Sequence, residues 1–358
     1  MQNVAKRYQA LPPFSIHHSA FIIQHLSFSI YHSAFIIQHL SMKVFRNIIE
    51  TRNIPNAVVT IGTFDGVHLG HQAIFNKMKT LAQSIGGQTV VVTFEPHPRQ
   101  VLNIDSSNLR FLCTPEEKLQ RFEEFGIDNV VIINFTKEFS RTPSEVFIKD
   151  YIIDNIKPAY IVVGYDHHFG KNRMGDFALL SDLMKRYNFK VERVDAQDID
   201  NIAISSTKIR NALAVGNVKG ANRLLGYTYS VTAEVVVGNQ IGRTLGFPTA
   251  NLELPREYML IGNRGVYACL VDYEGQTYKA MANIGHRPTI GDRSEDNPII
   301  EVNLFDFDGD LYGKQIHVRF IDRIRDEEKF NGLDALKAQL ALDREKAKEI
   351  LSKVRADL

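Results

Sequence analysis

Apolar positions along this chain follow two rhythms, and the change falls near residue 227. Before it, short β-branched runs alternate with stretches whose apolar residues recur at helical spacing. The runs at 57–61, 89–94, 129–135, 160–164 and 190–194 predict buried strands. Ile74, Met78 and Leu81 predict a helix after the first of them. Thr114-Pro115-Glu116-Glu117 has the order of an N-cap, a first-turn proline and a returning glutamate, and predicts a helix to about residue 125. Thr142-Pro143-Ser144-Glu145 repeats that order and predicts another capping box, with a helix through Ile153. Strands alternating with helices predict a parallel sheet covered on both faces. Ligands in such sheets gather at the carboxyl ends of the strands.

After residue 227 the helices give way to short strands and glycine turns, at 230–237, 265–273, 277–283, 299–305 and 315–320. One closing helix, 333–352, carries Leu336, Leu340, Ala347 and Ile350 toward one side. This pattern predicts a small β-barrel with a C-terminal helix. In the run 299–305, Ile300, Val302 and Leu304 face one way, and Glu301, Asn303 and Phe305 the other. The expected domains are therefore 42–227, an α/β unit, and 228–358, a barrel.

The first 41 residues stand apart. FSIHHSAFIIQHLS at 14–27 is repeated as FSIYHSAFIIQHLS at 28–41, a duplication that matches no solenoid unit. The segment has no Asp or Glu and lacks both a cleavage site of small residues and carboxylate partners for a histidine metal site. It is read as an extension upstream of the start at Met42, outside the fold. The net charge of +1 offers neither nucleic acid nor an anionic membrane an electrostatic reason to bind. Cys113 and Cys269 lie far apart and read as small core residues, in keeping with a reducing cytoplasm.

Candidate chemistry clusters at strand ends. The strand 57–61 runs into Gly62, the turn at Asp65-Gly66, and then His68-Leu69-Gly70-His71 at a helix start. Such a start offers free N–H groups to phosphate oxygens, and imidazoles there can donate where charge builds up. Gly70, lacking a Cβ, would let a flat base lie on the helix. The same histidines could simply finish a helix start. At 204–210, Ser205 or Ser206 can cap a helix running to about Val215. Lys208 and Arg210 then oppose its dipole, a placement that phosphates between them would relieve. The loop 164–173 also lies at a strand end, and its adjacent His167 and His168 do not converge on one metal. In the second half, Pro248 biases Phe247 toward an extended backbone, so Thr249 and Asn251 share a face as two neutral oxygens suited to Mg²⁺. Gly242 and Gly246 would let backbone approach phosphates.

The string Gly62-Thr63-Phe64-Asp65-Gly66-Val67-His68-Leu69-Gly70-His71 resembles the signature of the nucleotidyltransferase half of bacterial bifunctional riboflavin kinase/FAD synthetases. Ile204 to Arg210 and Gly242 to Asn251 resemble two further family elements, in the expected order, over roughly residues 42–350. The resemblance implies a Rossmann-like domain followed by a riboflavin-kinase barrel. The barrel would phosphorylate riboflavin with ATP and Mg²⁺ to FMN, and the α/β domain would then convert FMN and ATP to FAD and pyrophosphate. It implies ATP or phosphate contacts for Gly62, Phe64, Asp65, Gly70, Ser205, Ser206, Thr207, Lys208, Gly242 and Gly246, with His68, His71 and Arg210 catalytic. It implies flavin contacts for Asp166, Asn283 and Arg287, metal ligation by Thr249 and Asn251, and Glu301 as general base. The family often has His where this chain has Asn303. Its substrates would be small molecules, with neither nucleic acid nor membrane as partner; the oligomeric state stays open. Another nucleotidyltransferase with an accessory barrel would have no use for the 242–251 string. A nucleic-acid-binding barrel would call for a basic, aromatic stripe that is missing.

Overall fold

The computed structural model describes residues 42–102, 110–165, 168–196, 198–199, 202–238, 240–253, 263–286 and 298–354. The 14-residue repeat lies outside them. Strands β1 (Lys43–Phe45), β2 (Val58–Ile61), β3 (Thr89–Glu95), β4 (Asn129–Asn134), β5 (Tyr160–Gly164) and β6 (Lys190–Val194) form one sheet in the order β1-β4-β3-β2-β5-β6. Every neighbouring pair is parallel. The chain moves outward from β2 to β3 and β4, then returns to β5 on the other side. That reversal opens a crevice at the carboxyl ends of β2 and β5. Apolar side chains pack on both faces: Val59, Val90 and Ile161 on one, Val58, Val91 and Val162 on the other. This burial on both sides explains why the strands read as continuous apolar runs.

Helix α1 (Leu69–Ile85) follows the signature turn and buries Phe75 and Met78. Helix α2 (Pro115–Glu124) begins with the expected capping box, Thr114 and Glu117 each bonding the other's backbone N–H. The second expected box does not form. There the helix starts at Ser144 after an uncapped Pro143, and residues Phe147–Ile153 are π-helical. Glu145 is drawn instead to Arg186 at 2.8 Å. Helix α3 (Phe177–Arg186) precedes β6, a small antiparallel pair β7 (Asp198–Ile199) and β8 (Ile202–Ala203) follows, and α4 (Ser206–Ala214) and α5 (Val218–Leu225) close the first domain.

The second domain is a closed antiparallel barrel of β9 (Ser230–Val236), β10 (Ala250–Glu253), β11 (Gly265–Tyr273), β12 (Gln276–His286), β13 (Pro298–Leu304) and β14 (Gln315–Arg325). Its order is β10-β13-β12-β11-β14-β9, and β9 pairs back onto β10. Val231, Tyr267, Ile300, Val302 and Phe320 fill the interior, and α4 and α5 add Leu213, Val218 and Leu225 to the same cluster. The helix pair thus plugs one end of the barrel. Asn222 fastens it there, donating to the Phe320 carbonyl at 2.9 Å and accepting from the Tyr229 N–H at 2.8 Å.

Helix α6 (Leu333–Ser352) covers part of the outside, with Leu336, Leu340, Ala347 and Ile350 against Phe247, Met281 and Phe305. Asp343 on this helix is almost fully buried and takes Arg325 of β14 through three contacts of 2.8–3.1 Å. Removing one partner of a buried pair strands the other charge. Asp343→Ala should therefore destabilise the barrel by about 3–5 kcal/mol. The measurement is its denaturation midpoint; no change would show that the pair is solvated.

Candidate active sites

The signature turn begins where β2 stops. Gly62 N–H still bonds the Val92 carbonyl at 3.0 Å, and the chain then reverses with positive φ at Phe64 (50°), Gly66 (76°) and Val67 (37°). Gly62 has to be glycine because the Phe64 ring lies where a Cβ would stand, 2.9 Å away. Phe64 is buried against Phe75 and Phe122 and meets His71 edge-on at 5.1 Å. His68 is the residue before α1, and its side chain makes no capping bond. It stacks on His71 instead, centroids 3.6 Å apart and planes within 18°.

Both Nδ1 atoms are buried without a hydrogen-bond partner among the described residues. Burial pushes the His68 imidazole from 6.5 down to about 4, and holds His71 well below its ordinary value. The two rings are therefore neutral at neutral pH. The base expected to lie over Gly70 meets a prior occupant: the His68 ring sits 3.2 Å from where a Gly70 Cβ would be.

Asp65 is buried, its carboxylate taking the Leu112 N–H at 2.9 Å and an ion pair from Arg210. Burial raises its pKa, opposed chiefly by Arg210. Arg210 also donates to the Arg110 carbonyl at 2.8 Å. Its charge is thus spent on Asp65, a placement the sequence reading had not anticipated. Ser205 caps α4 as expected, accepting from Lys208 N–H at 3.4 Å, and Ser206 donates to the Asp65 carbonyl at 3.0 Å. Thr207 and Lys208 are exposed. Asp166 lies outside the described residues, as does Arg287.

Beside the turn is a cleft at the carboxyl end of β3, where Glu95 to Pro98 lie. It is lined by Thr63, Phe94, Pro96, His97, Phe111 and Lys118. His97 caps the turn Pro98–Val101, accepting from Arg99 N–H at 3.1 Å. Burial lowers the pKa of Lys118, whose Nζ reaches two neutral oxygens, Thr93 Oγ1 at 3.4 Å and Thr63 O at 3.5 Å. The string Glu95-Pro96-His97-Pro98 at a strand end was the visible signal; the lysine arrives from α2 and carried none.

In the barrel, register does the assembling. Asn251 of β10 stands directly opposite Glu301 of β13, and Glu301 opposite Asn283 of β12. Directly paired residues share a face. Their neighbours Ile300, Val302 and Ala282 point into the barrel, so this row lies on its outer face. Asn251 is buried, with its amide packed where Gly238 leaves room; a Cβ there would stand 2.2 Å from Nδ2. Asn303, on the same face, donates to the Pro248 carbonyl at 2.7 Å and pins the chain that leads to Thr249 and Asn251. Gly242 lies against the Phe247 carbonyl, 2.3 Å from its would-be Cβ, and Gly246 ends the short helix Ile241–Leu245 at φ +83°.

The family profile described as FAD synthetase matches residues 50–208, and that described as riboflavin kinase matches 225–351. A bifunctional riboflavin kinase/FMN adenylyltransferase of Listeria monocytogenes is 37% identical over 84% of this chain and 94% of its own length. One from Escherichia coli K12 is 38% identical over 82% and 92%. A crystal structure described as a macrolide-efflux protein of Streptococcus pneumoniae is 32% identical with TM-score 0.76, covering 86% of this chain and 98% of that one. Among the described residues, no helix is long and apolar enough to cross a membrane.

Proposed function

This chain belongs to the bifunctional riboflavin kinase/FMN adenylyltransferase family, and from that premise we propose which residues carry each step. The barrel transfers the γ-phosphoryl group of ATP to riboflavin, giving FMN and ADP. The α/β domain transfers AMP from a second ATP to FMN, giving FAD and pyrophosphate.

The observation that carries the kinase assignment is the row Asn251–Glu301–Asn283 on paired strands. Glu301 is the group placed to take the proton from the attacking hydroxyl. Asn251 offers a neutral oxygen beside that carboxylate and Thr249 another two residues earlier in the chain, a donor set that fits Mg²⁺. When bound, the ion neutralises charge on the phosphates. Asn283 borders the row and orients the flavin, and Gly242 and Gly246 shape the loop facing the nucleotide.

For adenylyl transfer, the neutral His68 and His71 rings donate hydrogen bonds to phosphate oxygens as charge shifts to the leaving pyrophosphate. Lys208, Thr207 and the free N–H groups opening α4 supply the remaining contacts. Arg210 acts through Asp65, fixing the turn, and Phe64 acts by holding His71. The flavin ring of FMN lies in the cleft against Phe94, Pro96 and Phe111, with the Lys118 ammonium donating to a ring carbonyl. Lys118→Met should then raise the KM for FMN about tenfold or more, the scale of a charged hydrogen bond. Riboflavin phosphorylation should be unchanged; an unaltered KM would remove Lys118 from the flavin site. The cytoplasm, where ATP is at hand, is the compartment this reading implies. Incubation with riboflavin, ATP and Mg²⁺, followed by separation of the flavins, tests the whole: FMN must form, and then FAD.

A further inference from the structure

We infer that Tyr227 is a positioning residue of the adenylyl-transfer site, supplied from the segment where the kinase domain begins. The inference rests on reading residues 62–71 as that site. Four consecutive carbonyls of the signature turn are each held. Phe64 O accepts from Val67 N–H at 3.1 Å, and Asp65 O from the Ser206 hydroxyl at 3.0 Å. Gly66 O accepts from the Tyr227 hydroxyl at 2.6 Å, and Val67 O from the Gln72 amide at 2.9 Å. Gln72 also donates to Leu225 O at 2.8 Å, so the chain just before Tyr227 is tied to the same turn.

The turn needs such holding. Phe64 and Val67 have side chains yet sit at positive φ, a conformation that persists only where its surroundings impose it. Gly66 has no slack either, since a Cβ there would meet Leu112 at 2.7 Å. Tyr227 can impose geometry because its own ring is fixed. The Arg121 guanidinium covers it, 3.4 Å from the ring centroid. Burial raises the phenol pKa, so the hydroxyl remains a donor. His68 is the next residue after the turn and sets where both imidazoles stand. Tyr227 acts on the histidines through Gly66.

The bland alternative is that Tyr227 only packs one domain against the other. Tyr227→Phe in the full chain separates the two, because it keeps the ring and removes the donor. The kcat for FMN to FAD should fall about three- to tenfold, with KM for FMN and ATP within about twofold and riboflavin phosphorylation unchanged. Arg121→Met leaves the hydroxyl but frees the ring, and should lower adenylyl kcat by a smaller factor than Tyr227→Phe, with riboflavin phosphorylation unchanged. An unchanged kcat in Tyr227→Phe would overturn the inference, as would equal losses in both activities. A wild-type chain that makes FMN but no FAD would overturn the reading of the turn itself, and Tyr227's place in it as well.

Discussion

Glu301→Gln is expected to lower riboflavin phosphorylation by about 10²–10⁴-fold, the usual contribution of a positioned general base. The substitution is close to isosteric, so the strand should pair as before. Ile300 and Val302, which face the barrel interior, are untouched. Asn251 and Asn283 on either side can still bond an amide oxygen. What is lost is the capacity to take a proton. FAD should still form when FMN is supplied, because the adenylyl site lies in the other domain. It should fail to form from riboflavin. The measurement is each step separately on purified protein. Unchanged phosphorylation would leave Glu301 as one more half-buried carboxylate on a barrel strand.

His71→Ala is expected to cut FAD formation by roughly a hundredfold or more, the scale of losing one donor to the transition state. Riboflavin phosphorylation should hold. The ring also stacks on His68 and meets Phe64, so some stability goes with it. His71→Asn, which keeps a donor, should recover part of the rate. If both activities fall together, the ring serves the fold. The depressed pKa values add a condition on pH. A histidine with a folded pKa near 4 and an unfolded one of 6.5 binds its proton more readily when unfolded. His68 therefore favours unfolding as pH falls from 6.5 toward 4, and is without effect above that window.

Most of the parallel sheet could be read directly, because strands buried on two faces have little choice but to be apolar throughout. Strand β1 was missed: it has only three residues, and Lys43 and Val44 are exposed. Glu145 shows the limit of local motifs. The string Thr142 to Glu145 fits a capping box, yet Arg186, from a distant helix, takes the glutamate. Within the sites, residue types were legible and partnerships were not. Arg210 could be picked out as a cation near a helix start, but only the fold brings it to Asp65, 145 positions away in sequence. The same holds for Asn251, Glu301 and Asn283. Their row depends on β13 lying between β10 and β12, which no spacing along the chain specifies.

The plug formed by α4 and α5 bears on how the protein is made. Helix α4 opens with Ser206 and carries Arg210, so it is part of the proposed adenylyl-transfer site. Its apolar side, with Ile209 and Leu213, rests on barrel residues as late as Phe320. As the chain leaves the ribosome amino end first, the sheet can close early and take the polar contacts of this helix, but its apolar side is not fully covered until β14 emerges. The domain translated first thus waits for the second before its own site is complete. In that interval the helix pair is the greasy surface on the nascent chain that a chaperone would hold.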